Sequence, residues 1–480
     1  MLVALGSILL IAAAVLLTPL AMLPFYPEEL PLGFHFLLPS LVLAAAGLVL
    51  LLTRRAGHGK GNGKLRIDER EGAIVVTFGW LIVTAASAWP FMRISGLGFS
   101  QAFFEAMSGW TTTGLSMINV EQAPKTLLFF RSVIQLAGGA GLAIIMLAAF
   151  SLSIGAGLYR AEGRSYQLVP NVTRSAKVVV SLYLGYTIIG VVGLALAGMS
   201  VFDALNHAFC AVSTGGFSTR VASIGYWDSP VIEAVTMVLM ILGNLNFLSV
   251  YILVSGKVKA FFRNAETKLL TIFTLLGIVL LFVFVAHGTY GSTAKAIRVA
   301  VFEAVTALTT TGFSTVGYGD WNGTGILVMM VLMVIGGGMC STAGGLKQYR
   351  VFILLKAVWW EFRRMVLPRR AVLVHRVTVG DEDRIVAERQ VMEIGVFAFL
   401  YMAALAVGTG LLTAAGYSLR DAAFEFASAL GTVGLTIGVT ATSTPPLALW
   451  TMSAGMLLGR LEFFVIFISL ARLLGKAKGR

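Results

Sequence analysis

Apolar runs alternate along this chain with short polar stretches rich in Gly, Ser and Thr, and ten of the runs are long enough to be membrane helices. Crossing a hydrocarbon layer takes about 20 residues. The runs lie near residues 2–23, 34–52, 73–92, 127–153, 178–198, 231–254, 269–287, 326–360, 390–415 and 446–474. The first is too long for a signal peptide and lacks a basic start and a small-residue cleavage site, so it is expected to remain as a helix.

One polar pattern recurs four times between the runs: T-T-T-G-L-S at 111–116, S-T-G-G-F-S at 213–218, T-T-T-G-F-S at 309–314 and G-T-V-G-L-T at 431–436. Each copy places glycine fourth, at Gly114, Gly216, Gly312 and Gly434. Nine residues before these glycines stand Glu105, His207, Glu303 and Glu425, and Phe104, Phe302 and Phe424 precede the three glutamates. The residues between are small and apolar, which predicts a short helix that the glycine ends. Repetition of this kind marks one supersecondary unit used several times. The chain therefore parses as a two-helix preamble with a basic linker (1–71), a first unit (72–160), a second (161–263), a third with a broken inner helix (264–358), a cytoplasmic linker (359–386) and a fourth unit (387–480).

Composition excludes a soluble protein. The chain is 57% hydrophobic and 12% charged, with mean hydropathy +0.86, whereas soluble domains carry about 25% charged residues. The net charge of +13 raises nucleic acid as a partner, but 28 of the 36 Lys and Arg fall in five segments, 54–70, 160–177, 257–268, 347–389 and 472–480. Basic loops stay on the cytoplasmic side, so these segments and both termini are expected inside, and no nucleic acid is implied. Each short helix and polar loop must then dip in from outside and return. Irregular backbone survives at membrane depth only where protein buries it or it lines a watery cavity. The expected fold is an all-α integral membrane protein, with four helix–pore loop–helix repeats around a central pore plus two N-terminal helices.

Other chemistries find no support. Cys210 and Cys340 sit far apart in apolar or glycine-rich segments, and the five histidines form no metal-ligand spacing. The glycines of 57–64 fit neither phosphate-binding pattern and are read as a flexible basic linker near anionic lipid. No nucleophile and base, and no nucleotide fold, point to an enzyme or a bound cofactor. Thr and Gly loops instead suit a dehydrated alkali cation, because rings of backbone carbonyls replace its water and Gly reaches conformations closed to residues with a Cβ. Glu105, Glu303 and Glu425 attract cations at the outer mouth or hold the loops from behind. The cost of unpartnered carboxylates in a membrane favours the second role.

These loops, together with F-D-A-L-N-H-A-F at 202–209, G-G-F-S-T at 215–219, C-S-T-A-G-G-L-K at 340–347 and G-R-L-E at 459–462, resemble the Trk/Ktr/HKT superfamily of potassium transporters over nearly the whole chain. The two extra N-terminal helices favour its TrkH branch. The resemblance implies potassium uptake at the cell (inner) membrane, no bound cofactor, K⁺ as the transported ion, a homodimer, and a cytosolic nucleotide-binding ring of the TrkA type. It implies a selectivity filter of Thr111, Thr112, Thr113 and Gly114, then Ser213, Thr214, Gly215 and Gly216, then Thr309, Thr310, Thr311 and Gly312, and last Gly431, Thr432, Val433 and Gly434. Serine in place of the first-loop glycine accompanies Na⁺ permeability in plant relatives, and here all four are glycine. The fourth loop is the least regular, with Val433 where the others have Thr or Gly.

T-V-G-Y-G-D at 315–320 matches the filter of tetrameric K⁺ channels, but the repeat register places it after Gly312, as the limb that climbs back outward. Below the filter, Gly336, Gly337, Gly338, Met339, Cys340, Ser341, Thr342, Ala343, Gly344 and Gly345 interrupt an apolar run too long for one straight crossing. Each glycine costs a helix about 1 kcal/mol against alanine, so this stretch is expected to be a loop across the path and a gate. Arg460, inside the last run, is the donor expected to hold the loop's carbonyls, or else to pin the fourth unit to its neighbours. Two modes of flux fit this pattern, channel-like conduction and coupling to a second ion by alternating access, although folds of the second kind commonly carry two repeats.

Overall fold

The computed structural model describes residues 1–57, 69–141, 172–368, 375–379 and 382–478. Residues 58–64 of the glycine linker, 142–153 of the fourth apolar run, 160–171 of the second basic segment and Arg369, Arg370 and Arg480 lie outside them. The preamble helices, Leu2–Leu17 and Gly33–Gly57, cross at two glycines. A Cβ on Gly6 would stand 2.7 Å from the Gly47 oxygen, so small residues let the backbones approach. Glu29, in the connection between these helices, accepts N–H bonds from Lys125 (2.7 Å) and Thr126 (2.8 Å), fastening the preamble to the first unit at a helix N-terminus.

Four outer helices follow in order, Glu69–Ile94, Val172–Leu196, Ala265–Leu281 and Glu388–Ala414. Each leads to a half-helix: Phe99–Trp110, Val201–Val212, Thr293–Leu308 and Leu419–Leu430. Side-chain caps start three of these, with the hydroxyls of Ser200, Ser292 and Ser418 accepting from the N–H of Asp203, Lys295 and Asp421. The half-helices form the buried centre, where Ala102, Phe104, Trp110, Ala208, Phe302 and Phe424 are wholly enclosed. The outer helices invert the usual rule: Ile188, Ile189 and Phe399 face outward, as a surrounding hydrocarbon layer requires.

The inner helices are Lys125–Ala140, Pro230–Asn244, Gly323–Ile335 and Pro446–Leu461. The expected break in the third is present, from Gly336 (φ 67°) to the restart at Gln348–Val366. Two further breaks depart from the sequence reading. The run at 231–254, read as one span, bends by 109° between Pro230–Asn244 and Phe247–Val254, because Asn246 caps a new helix by accepting from the Leu248 N–H. The last run bends by 103° at Glu462, whose φ is 66°. Arg460 therefore lies in the last turn of a broken helix and not deep within a continuous one. Among the described residues six helices are long and apolar enough to cross a membrane, or up to eight if each bent pair is one span. The segment read as a linker carries the end of Gln348–Val366 and a two-stranded antiparallel ladder, Arg376–Val379 with Glu382–Ile385.

Candidate functional site

All four half-helices end in the same way. The second loop residue takes a left-handed conformation at Thr112 (φ 57°), Thr214 (51°), Thr310 (53°) and Thr432 (49°). The third donates its N–H back five residues, Thr113 to Ser108, Gly215 to Cys210, Thr311 to Thr306 and Val433 to Ser428. Such a helix end usually places glycine in the left-handed position. Threonine there stores about 1–2 kcal/mol of strain, partly offset where Thr112 Oγ1 donates to Thr111 O (2.6 Å) and Thr214 Oγ1 to Ser213 O (2.7 Å).

The fourth-position glycines close these ends into a ring. A Cβ on Gly114 would stand 2.2 Å from Gly215 O, on Gly216 2.2 Å from Thr311 O, on Gly312 1.9 Å from Val433 O, and on Gly434 2.1 Å from Thr113 O. Each loop thus abuts the third-position oxygen of the next, and the fourth returns to the first. The sixteen expected filter residues are brought together here, the irregular Val433 included.

Polar residues hold the ring from behind. The N–H of Gly114, Gly312 and Gly434 donates to the hydroxyl of Ser108 (3.0 Å), Thr306 (3.1 Å) and Ser428 (3.0 Å), and Cys210 stands at the matching place in the second unit. These residues were missed from the sequence, though they recur six positions before each glycine. Glu105 accepts from the Met117 N–H and the Ser116 hydroxyl, Glu303 from the N–H and hydroxyl of Thr315, and Glu425 from the Ile437 and Thr440 N–H groups. His207 Nε2 meets Ser218 Oγ at 2.9 Å. All four brace the climbing limbs. The segment 315–320 is such a limb: Thr315 and Tyr318 are bound to Glu303, and a Cβ on Gly317 or Gly319 would meet nothing within 4 Å.

Arg131, also missed, is an arginine within an apolar run. It pairs with Glu105 (2.9 Å), donates to Ser218 O and lies over the Phe217 ring (4.0 Å), tying the first loop to the second. Removing one partner of so buried a pair costs about 3–5 kcal/mol.

Beneath the ring lies the glycine-rich loop. Gly344 N–H donates to Thr310 Oγ1 (2.7 Å), and Thr214 Oγ1 lies 3.2 Å from Thr342 Oγ1. A Cβ on Gly344 would stand 2.1 Å from Thr432 Oγ1, so the loop touches three of the four second-position threonines. Gly337 N–H donates to Gly344 O (3.1 Å) and Gly338 N–H to Asn244 O (3.1 Å), while Ser341 Oγ donates to Gly338 O (2.6 Å). Gly336 and Gly345 pack against each other, and the Phe247 N–H faces Cys340 O at 3.5 Å. Glu266 accepts from Met339 N–H (2.7 Å) and from Asn246 Nδ2 (2.9 Å), joining the loop to the break in the second inner helix. Arg460 donates to Thr342 O (2.9 Å) and to Gly138 O and Gly139 O of the first inner helix, and Glu462 pairs with Arg350 (2.7 Å).

Four helix, re-entrant loop and helix units closed around one oxygen-rich ring define a multi-pass membrane protein for cation transport, not an enzyme. Residues 41–478 match the family model described as "TrkH: Cation transport protein". The chain belongs to this TrkH family. It is 31% identical to an uncharacterized cation transporter of Methanocaldococcus jannaschii, covering 98% of this chain and 94% of that one. It is 32% identical to the Trk system potassium uptake protein TrkH of Escherichia coli, covering 85% and 86%. The crystal structure of the potassium transporter TrkH from Vibrio parahaemolyticus superposes with a TM-score of 0.83 at 28% identity, covering 99% of this chain and 98% of that one.

Proposed function

We propose that this chain carries K⁺ into the cell through the ring of four loops, with the loop Gly336–Gly345 as a gate beneath it, in the cell (inner) membrane with both termini cytoplasmic. The observation that carries the reading is the cyclic seam, in which every fourth-position glycine is pressed against the next loop's third-position oxygen. A ring so closed offers oxygens from all four units to one dehydrated ion. The half-helix C-termini add partial negative charge on the same side. The names of the potassium uptake relatives support K⁺ as the ion. Purified protein in liposomes is expected to take up Rb⁺, with K⁺ competing better than Na⁺, and with no requirement for a Na⁺ or proton gradient. Uptake that follows an imposed Na⁺ or proton gradient instead would favour coupled transport.

Relatives named as proteins of a Trk system support a multi-component assembly. We place a homodimer of this chain on a cytosolic nucleotide-binding ring of the TrkA type, docked at the basic inner surface beside anionic lipid. Arg363 and Arg364 are exposed at the end of Gln348–Val366, next to the exposed Phe362 and Met365. Neutralising Arg363, Arg364, Arg369 and Arg370 together is expected to abolish copurification with the ring. Copurification that survives would move the dock elsewhere.

A further inference from the structure

The fourfold pattern is broken at one seam by a matched pair of residues. Counting eleven residues beyond the N-caps of the inner helices, Pro124, Ser229, Asn322 and Pro445, gives Gln135, Met240, Met333 and Met456. All four are fully buried. Only the first is polar. The third loop position breaks the pattern in the neighbouring unit: Thr113, Thr311 and Val433 stand in three loops, and Gly215 in the second.

These two departures meet in space. Gln135 Nε2 donates to Gly215 O at 2.6 Å, and its Oε1 accepts from the Phe217 N–H at 3.1 Å. One amide thus grips the loop on both sides of Gly216. A Cβ at residue 215 would stand 2.4 Å from Gln135 Cδ and Oε1, so glycine there makes room for the amide. The first and third loops have a lock of their own, with Thr111 Oγ1 and Thr113 Oγ1 2.8 Å apart and Thr309 Oγ1 and Thr311 Oγ1 likewise 2.8 Å apart. Gly215 cannot supply that hydroxyl, and the lock comes instead from the first inner helix. Among the described residues no donor reaches the third-position oxygens of Thr113, Thr311 or Val433. Gly215 O alone shares its charge with an N–H, while also facing Gly114 across the seam.

We propose that Gln135 is a positioning residue that determines ion preference: its amide fixes the seam between the first and second loops and lowers the field of one of four ring oxygens. Selectivity rests on the number and field strength of coordinating oxygens in a filter with some freedom to move. Gln135→Met gives this seam the residue type of the other three, frees Gly215 O and strands the Phe217 N–H. A fixed seam then becomes a loose one.

The inference rests on the ring being the ion path, so two variants are read together. Purified Gln135→Met and Gly114→Ser are reconstituted in liposomes, and Rb⁺ uptake is competed with Na⁺ and with K⁺. The ratio of Na⁺ to K⁺ concentrations that halve uptake is expected to fall about fivefold in Gln135→Met, the scale of one lost hydrogen bond, and to fall as well in the reduced uptake left to Gly114→Ser, whose Cβ meets a backbone oxygen as one at Gly312 would. A monodisperse Gln135→Met that keeps the wild-type ratio while Gly114→Ser shifts it overturns the role of Gln135 and leaves the ring standing. If neither variant shifts the ratio, the ring reading falls too. The pairing is checked separately. Gly215→Thr alone is expected to lose uptake through its clash with Gln135, and Gln135→Met/Gly215→Thr to regain it with a lowered ratio, the non-additivity that contacting residues produce. The double variant replaces Gln135→Met in the comparison if the single one does not fold. A double variant no better than Gly215→Thr would show that the two departures are unrelated.

Discussion

Gly312→Ala is expected to abolish most Rb⁺ uptake, while Gly317→Ala and Gly319→Ala, only a few residues on, leave it close to wild type. Gly312 has φ 85°, and a Cβ there would stand 1.9 Å from Val433 O. The obstacle is backbone, so no side chain can swing aside. Left-handed strain of about 1–2 kcal/mol alone corresponds to about tenfold in an equilibrium or a rate, and displacement of the Val433 oxygen adds to it. Gly317 and Gly319 have open space around a Cβ and no positive φ. The contrast separates the ring from the segment 315–320, whose letters look more like a filter. Uptake lost in Gly317→Ala but kept in Gly312→Ala would reverse that assignment. Size-exclusion profiles of all three variants distinguish a blocked path from an unfolded protein.

The parts of this molecule legible in the sequence are those that repeat or that break a rule locally. Four glycines at one spacing mark the ring, because only a backbone without Cβ fits against the next loop. Five glycines in an apolar run mark the third break, because helix propensity fails there. The other two breaks were hidden. Asn246 and Glu462 each turn the chain with a single residue inside a hydrophobic stretch, and hydropathy averaged over a span cannot register one residue. The tertiary partners were hidden for another reason. Gln135 and Gly215 lie 80 positions apart, and neither is unusual alone. Their meaning appears once the inner helices are aligned on their N-caps, which requires knowing where those helices begin. The brace from Arg131 to Ser218, 87 positions away, was illegible in the same way. Glu105, Glu303 and Glu425 were legible because an intramembrane carboxylate needs a partner, and the partners proved to be the limbs just beyond each loop.

Arg460→Ala is expected to raise Rb⁺ flux severalfold without changing the preference for K⁺ over Na⁺. The guanidinium binds two bodies at once. It donates to Thr342 O on the glycine-rich loop and to Gly138 O and Gly139 O of the first inner helix. Bonds from a charged donor contribute about 1.5–3 kcal/mol each, and those to the end of a helix gain from its dipole. The loop's polar contacts with the ring, from Gly344 N–H to Thr310 Oγ1 and between the Thr214 and Thr342 hydroxyls, are neutral and weaker. Without Arg460 the loop keeps its attachment through Glu266 at Met339 but loses the clamp on its far side, so open arrangements become more populated. The ring itself contains no atom of Arg460, which is why ion preference should hold. Arg460→Lys is expected to fall between, since a single ammonium cannot reproduce the fork that spans both bodies. A purely structural role predicts a different pair of results, a lower melting temperature with flux per folded molecule unchanged. Flux at the wild-type level in monodisperse Arg460→Ala, with the melting temperature reduced, would make this residue a pin between the fourth unit and the first and would remove it from the gate. Deleting Gly337–Gly344 is the harsher form of the same test, because it removes the proposed gate together with the contact to Thr310, and it too should raise flux in protein that folds.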